Sequence, residues 1–252
     1  MNKIDCIIVI YNVTIDKCDS IKSSEYINNI IICDNSDQEI FNSYNKQYAR
    51  DNKYIYINMQ GNKGISKAYN EGILHVSTKY FCLLDDDTKI DNEYFKEVNA
   101  TLCQTQCRYD IYLPIVIGNN YKIMSPCQIS GKRFKPFNNL AEIKYPFSAI
   151  NSGMIIKTDI FKKYSYDEKF FLDMVDHKFM KDNANEHNTY VMRNNIIHQD
   201  FSSLSDSKEQ AMKRLKIYAK DAKTYYGNSF PNFIFRNAQL IYRIIKINFS
   251  KK

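Results

Sequence analysis

Four short, largely apolar runs fall within the first 84 residues: Ile4–Ile10 (IDCIIVI), Ile30–Cys33 (IIIC), Tyr54–Ile57 (YIYI) and Tyr80–Leu84 (YFCLL). Runs of this length without polar alternation mark strands buried on both faces, as in a parallel sheet covered by helices. Asp16–Asn28 reads as a helix between the first two strands. Gly64–Val76 reads as another, with Ile65, Ala68, Tyr69, Gly72 and Ile73 at helical spacing behind the flexible Gly61 and Gly64. Strands alternating with helices predict an α/β fold with an open, mostly parallel sheet. Such sheets bind ligands beyond the carboxyl ends of their strands. Asn12, Asp34 and Asp85-Asp86-Asp87 stand at those ends, so polar residues converge on one rim.

The rest of the chain is less regular. Residues 108–150 contain Pro114, Pro126, Pro136 and Pro146 and are expected to form strands and loops on an acceptor side. Ile150–Lys157 reads as a strand entered through a small Asn-Ser-Gly step, Asp173–Asn183 as a helix, and Thr189–Ile197 as a strand running to His198. Met212, Leu215, Ala219, Ala222 and Tyr226 step by three and four, marking an amphipathic helix, and Asn232–Asn248 reads as a further helix. The expected division is a catalytic domain over 1–207 and a basic helical extension over 208–252.

A chain of 252 residues that is 44% hydrophobic and 25% charged can bury a sizeable core, which excludes global disorder. Its seven cysteines lie at 6, 18, 33, 82, 103, 107 and 127 without a zinc-site spacing, and read as reduced thiols of a cytosolic protein. The start of the chain enters a strand without a charged region and apolar core of signal-peptide type, and no apolar run approaches the roughly 20 residues of a membrane span. The expected protein is therefore soluble or peripherally attached. Net charge is +7, but residues 208–252 hold eleven Lys and Arg against two acidic residues, leaving −2 for the first 207. A nucleic-acid enzyme would carry such charge around its cleft, so no nucleic-acid partner is expected.

Asp85-Asp86-Asp87 closes the fourth strand. On extended backbone Asp85 and Asp87 share a face, with Cα atoms about 7 Å apart. Like charges so close resist joint ionisation unless a cation stands between them, and hard oxygen ligands suit Mg²⁺ or Mn²⁺ completed by substrate phosphates. An EF-hand reading fails, because its sixth and twelfth positions would be Ile90 and Lys96. Neither a P-loop nor a G-x-G-x-x-G fingerprint is present.

Seven segments follow in order: IIVIYN at 7–12, IIICDNSD at 30–37, GNKGISKAYNEG at 61–72, LLDDDT at 83–88, NSGMIIK at 151–157, YDEKFFLDMVDHKF at 166–179 and IIHQD at 196–200. In these the chain resembles a family 2 glycosyltransferase with the GT-A fold, and within that family the bacterial rhamnosyltransferases and galactofuranosyltransferases. The resemblance implies inverting transfer of a sugar from a dTDP- or UDP-sugar to a saccharide or lipid-linked saccharide in bacterial surface polysaccharide synthesis. Rhamnose leads as donor sugar; galactofuranose, galactose and glucose are the alternatives.

It further implies that Tyr11, Asn12 and Asp34 contact the donor nucleoside, that Asn62, Gly64, Lys67, Asp85 and Asp86 take part in binding the donor, and that Asp85 and Asp87 with His198 bind Mn²⁺ or Mg²⁺. Asp176 would be the general base, with Asp173 the competing carboxylate. Many relatives carry Glu-Asp where this chain has Val175-Asp176, so the base stays and an acceptor contact is removed. Asn151, Ser152 and Gly153 would line the place where donor sugar and acceptor meet, while His75, His177 and His187 read as surface or structural.

In the extension, Arg236, Arg243 and Lys246 fall on one side of a helix whose other side shows Phe233, Leu240, Ile244 and Ile247. That pattern suits docking at the inner face of the cell membrane, packing on the catalytic domain, or a homodimer contact. A metal-dependent nucleotidyltransferase and a non-catalytic binding module are the remaining functional alternatives.

Overall fold

The computed structural model describes residues 3–20, 24–118, 121–199 and 207–249. Asp200, which ends the IIHQD segment, and Lys251 and Lys252 of the tail lie outside the described residues.

The first half is the expected parallel unit. Strands β1 (Ile4–Ile10), β2 (Ile27–Asp34), β3 (Ile55–Asn58) and β4 (Tyr80–Asp85) align in the order β3-β2-β1-β4, all parallel. Side chains alternate across the pleat. Cys6, Ile8 and Ile10 enter one core with Cys82, Leu84, Phe95 and Leu102, while Ile7 enters the opposite core with Phe81, Leu83, Tyr69 and Phe179. Burial on both faces is what the continuous apolar runs anticipate.

One helix is misplaced by the sequence reading. Among the described residues of the stretch 16–28 the helical structure is one 3₁₀ turn, Ile15–Lys17, that overlaps its start. Ile27 already pairs with Ile4, so the strand consumes the end of the expected helix. Upstream, the Ile15 amide donates to Asn45 Oδ1 at 2.9 Å, and Asn45 Nδ2 donates to the Val13 carbonyl, pinning the segment in a non-helical path. The covering helix is instead α1 (Glu39–Asp51), between β2 and β3. Helix α2 (Ile65–Ile73) then precedes β4, and α3 (Asn92–Gln104) follows it.

The second half extends the same sheet with antiparallel strands. β9 (Met154–Lys157) lies antiparallel to β4 and to β5 (Ile111–Ile117). β6 (Ile123–Ser130) and β7 (Arg133–Phe137) form a hairpin beyond β5, short β8 (Phe147–Ser148) pairs with β6, and β10 (Thr189–His198) runs parallel to β5. Among the described residues these make one mixed sheet of ten strands, with α4 (Val175–Asn183) against it.

The C-terminal pair, α5 (Lys208–Tyr226) and α6 (Phe230–Phe249), packs through Leu215, Tyr218 and Ala222 of α5 and Leu240 and Ile247 of α6. Ser207 opens α5 with a reciprocal capping box to Gln210. Among the described residues no helix is long and apolar enough to cross a membrane.

Candidate functional site

A cleft of about 1030 Å³ opens at the carboxyl ends of β1 and β4, where a parallel sheet places its ligands. Its floor is the end of β4. Asp85, Asp86 and Asp87 all line it, and Asp85 Oδ2 accepts from Ser152 Oγ at 2.6 Å. Ser152 reaches that position because Gly153, at φ +73°, turns the chain into β9. Its amide donates to the Leu83 carbonyl, and its own carbonyl accepts from Tyr94 OH. Burial pushes the Asp85 carboxyl upward, and the charges of Asp87 and Asp176 push it further. Burial together with the two flanking carboxylates lifts Asp86 to about 7.

The rim beyond β1 and β2 is a small polar cluster. Tyr11 OH donates to Asp37 Oδ2, Asn12 Nδ2 donates to Asp37 Oδ1, and the Asp37 amide donates back to Asn12 Oδ1. These bonds, Asn12 first, hold the Asp37 carboxyl below its usual range. Tyr11, Asn35 and Asn62 face the cleft. Asp34 does not reach it. It is fully buried, accepting from the Ser36 amide, Asn45 Nδ2 and Tyr56 OH, so it shapes the loop beneath the rim. Lys67 likewise points elsewhere, standing 3.9 Å from Glu168 at an exposed site.

Gly64 joins this rim to the opposite wall. It adopts φ +87°, and a Cβ there would lie 2.7 Å from the Phe171 carbonyl oxygen, which accepts from the Ile65 amide. Gly64→Ala is expected to cost about 1–3 kcal/mol of stability through backbone strain and this contact. It should also weaken nucleotide binding, because the loop at Phe171 must retreat. Urea midpoints and nucleotide titrations measure both, and wild-type values for the two would refute the tight approach as a requirement.

Asp176, the second residue of α4, lines the far side, its Oδ1 accepting from the His177 amide at 2.7 Å. Asp173 lines the same wall beside Arg214 Nη2, 3.0 Å away. Burial lifts the Asp173 carboxyl to about 6, the Arg214 charge opposing the rise. Asn151 and Ser152 also face the cleft, as the sequence reading expects. His177, read from the sequence as surface or structural, is a wall residue: it stacks on Phe134 at 3.6 Å and bonds Ser148 through Nδ1. Burial lowers its pKa, which keeps the imidazole neutral.

His198 is not brought to Asp85 and Asp87. It is exposed and lines a separate, smaller depression with Lys89, Asp91 and Tyr94. The reason is strand parity: Asn195, Ile197 and Gln199 turn inward, while Ile196 and His198 turn outward. Gln199 is the residue that meets the carboxylates, its Nε2 donating to Asp87 Oδ1 at 3.4 Å and its Oε1 buried without a partner. Counting alternate positions from the apolar Ile197 was the signal that could have found it.

Among the described residues no three carboxylate, imidazole or thiol groups converge on a common point. The donor set nevertheless fits a hard divalent cation: two carboxylates of one strand end with an orphaned amide oxygen beside them, the rest of the shell falling to phosphate and water. Asp85 and Asp87 are the groups that would hold Mg²⁺ or Mn²⁺.

The basic extension forms part of the cleft. Lys213 and Arg214 of α5 and Arg243 of α6 line the cavity opposite the aspartates, with Arg133 and Lys135 of β7. Arg243 lies over the Tyr218 ring at 3.8 Å. The anchor is Asp221, fully buried on α5, which accepts from the Phe171 amide at 3.0 Å and the Leu172 and Asp173 amides at 2.8 Å. In the sequence it appears only as one of two acids in a basic helix.

Comparison with known proteins agrees with this architecture. The family described as Glycosyl transferase family 2 matches residues 5–165. Similar solved structures include S. aureus TarS 1-349, at 15% identity and TM-score 0.55, covering 98% of this chain and 72% of that one. The same TarS fragment in complex with UDP matches at 16% identity and TM-score 0.55, covering 98% and 72%. Its complex with UDP-GlcNAc matches at 15% identity and TM-score 0.55, covering 98% and 73%. At these identities the likeness speaks for the fold, which is GT-A. No curated protein matches the chain in sequence.

Proposed function

Because the chain belongs to glycosyl transferase family 2, we infer that this cleft transfers a sugar, with inversion, from a pyrimidine nucleoside diphosphate to a saccharide hydroxyl. The observation that carries the reading is one cavity with carboxylates of two kinds: Asp85–Asp87 at a strand end, and Asp176 at a helix start across from them. The acceptor hydroxyl oxygen attacks the anomeric carbon from the face opposite the diphosphate. The bond from that carbon to the phosphate oxygen breaks, the nucleoside diphosphate leaves with both electrons, and Asp176 takes the hydroxyl proton. A Mg²⁺ or Mn²⁺ ion at Asp85 and Asp87 would supply positive charge where the leaving group becomes more negative. Lys213, Arg214 and Arg243 add fixed positive charge on the opposite wall.

The nucleoside lies against Tyr11 and Asn35, with Asn62 and the Gly64 loop beside the diphosphate. UDP and UDP-GlcNAc bound to TarS support a pyrimidine nucleotide. Rhamnose remains the leading donor sugar on the YDEKFF segment at 166–171, and a lipid-linked saccharide the leading acceptor.

The test is thermal stabilisation across dTDP-rhamnose, UDP-galactofuranose, UDP-galactose, UDP-glucose and UDP-GlcNAc, each with and without Mn²⁺ or Mg²⁺. At a hundredfold excess over Kd a bound donor adds about 2.7 kcal/mol, or about 5–10 °C for a chain of this size. One donor is expected to give that shift with metal and to lose most of it with EDTA. A shift from nucleoside triphosphates alone would sink the transferase reading. An unchanged shift in EDTA would remove the metal from it.

A further inference from the structure

Helix α6 is turned the wrong way for a helix at a water-facing surface. It contains no buried residue. Its polar Gln239 and Arg243 are spent inward, on Tyr218 and the cleft wall. Leu240 and Ile247 pack on α5, but six other large apolar side chains face out: Phe230 is 75% exposed, Phe233 54%, Ile234 53%, Ile241 58%, Ile245 50% and Phe249 79%. These six recur at spacings of three, four and seven and so form one stripe along the outer side of the helix. The amides of Asn237 and Asn248, which interrupt the stripe, donate to carbonyls of the same helix, at Phe233 and Ile244. An apolar stripe that runs the length of a helix on a water-facing surface marks a contact.

We propose that this stripe of α6 seats the protein on an anionic lipid bilayer, the helix lying in the plane of the headgroups with its apolar side in the acyl boundary. Charge selects the bilayer over a second copy of the chain. Leaving out Lys213, Arg214 and Arg243, which line the cleft, residues 208–252 still carry eight basic residues against Glu209 and Asp221, so pairing two α6 stripes sets like charge against like. An anionic surface meets the same charge with the opposite sign, each nearby Lys or Arg adding to binding. Lys216, Lys220 and Lys223 of α5 are exposed for that role. The inference does not depend on the transfer reaction.

Co-sedimentation of the full chain with phosphatidylcholine vesicles and with vesicles containing one quarter phosphatidylglycerol tests it. The protein should pellet with the anionic vesicles about tenfold more strongly than with neutral ones, and less so at high salt. An Ile241→Asp/Ile245→Asp variant should lose at least about tenfold in binding while keeping its melting temperature, since both side chains face solvent. Failure of the wild-type chain to bind, or equal binding by the variant, overturns the proposal. So does a wild-type dimer in light scattering that the same two substitutions convert to monomer, which would assign the stripe to a second copy.

Discussion

Replacing Asp176 by Asn is expected to slow transfer by about 10²–10⁴-fold while leaving nucleotide-sugar binding unchanged. Asp176 lies across the cleft from the strand-end carboxylates, close enough for its charge to raise the Asp85 carboxyl. An amide at the same position keeps shape and hydrogen bonding to the His177 amide but cannot take the acceptor proton. Donor binding depends on the opposite rim, so thermal stabilisation by the preferred nucleotide sugar should persist. The competing carboxylate is separable by pH. Asp173 is lifted to about 6 by burial against the pull of Arg214. It is charged at pH 7 and takes a proton as pH falls through about 6, which weakens its pair with Arg214. The rate should therefore fall on the acid side near pH 6, and in Asp173→Asn, which mimics the protonated group, that limb should vanish because the pH 7 rate already stands at the lowered acid-side level. If Asp173→Asn abolishes transfer at pH 7 and Asp176→Asn does not, the two roles must be exchanged.

The second large effect belongs to a residue that touches no substrate. Asp221→Ala should cost about 3–5 kcal/mol, because it removes a buried carboxylate from three backbone amides at once. For a chain of this length that is a fall of about 6–20 °C in melting temperature. The structural consequence is local first. The loop at 171–173 holds Gly64 and Ile65 through the Phe171 carbonyl and presents Asp173 beside Arg214. Met174, at φ +65°, then turns the chain into α4 and Asp176. With its anchor gone, this loop and α5 separate, and both cleft walls move. Transfer should drop even at temperatures where the variant is folded, and Asp221→Asn, which keeps one acceptor oxygen, should restore part of both losses. A melting temperature within 2 °C of wild type, a threshold of under about 1 kcal/mol, together with a normal rate, would show that α5 does not hold the loop.

Sequence periodicity alone determined the parallel half of the sheet and the rim where its strands end. A strand buried on both faces needs an apolar run, and Ile4–Ile10 and Tyr80–Asp85 are such runs. Asp85–Asp87 was legible too, because carboxylates at a strand end are a local feature that needs no partner to be read, whereas Asp176 was singled out only by the family resemblance of the segment at 166–179. Strand parity was legible and was not read far enough: Gln199, not His198, turns inward because Ile197 does. Only the tertiary structure decided the rest. The chain at Val13–Ile15 departs from an α-helical path because Asn45, on a helix that packs over it, fixes its backbone. Asp34 is withdrawn from the cleft because Asn45 and Tyr56 saturate it from other elements. Arg214 and Asp221 belong to the site because α5 folds back more than 40 residues in sequence to meet the loop at 171–173. Local pattern fixes which groups a segment offers, but long-range hydrogen bonds and packing fix which groups meet, and no periodicity within one segment encodes its distant partner.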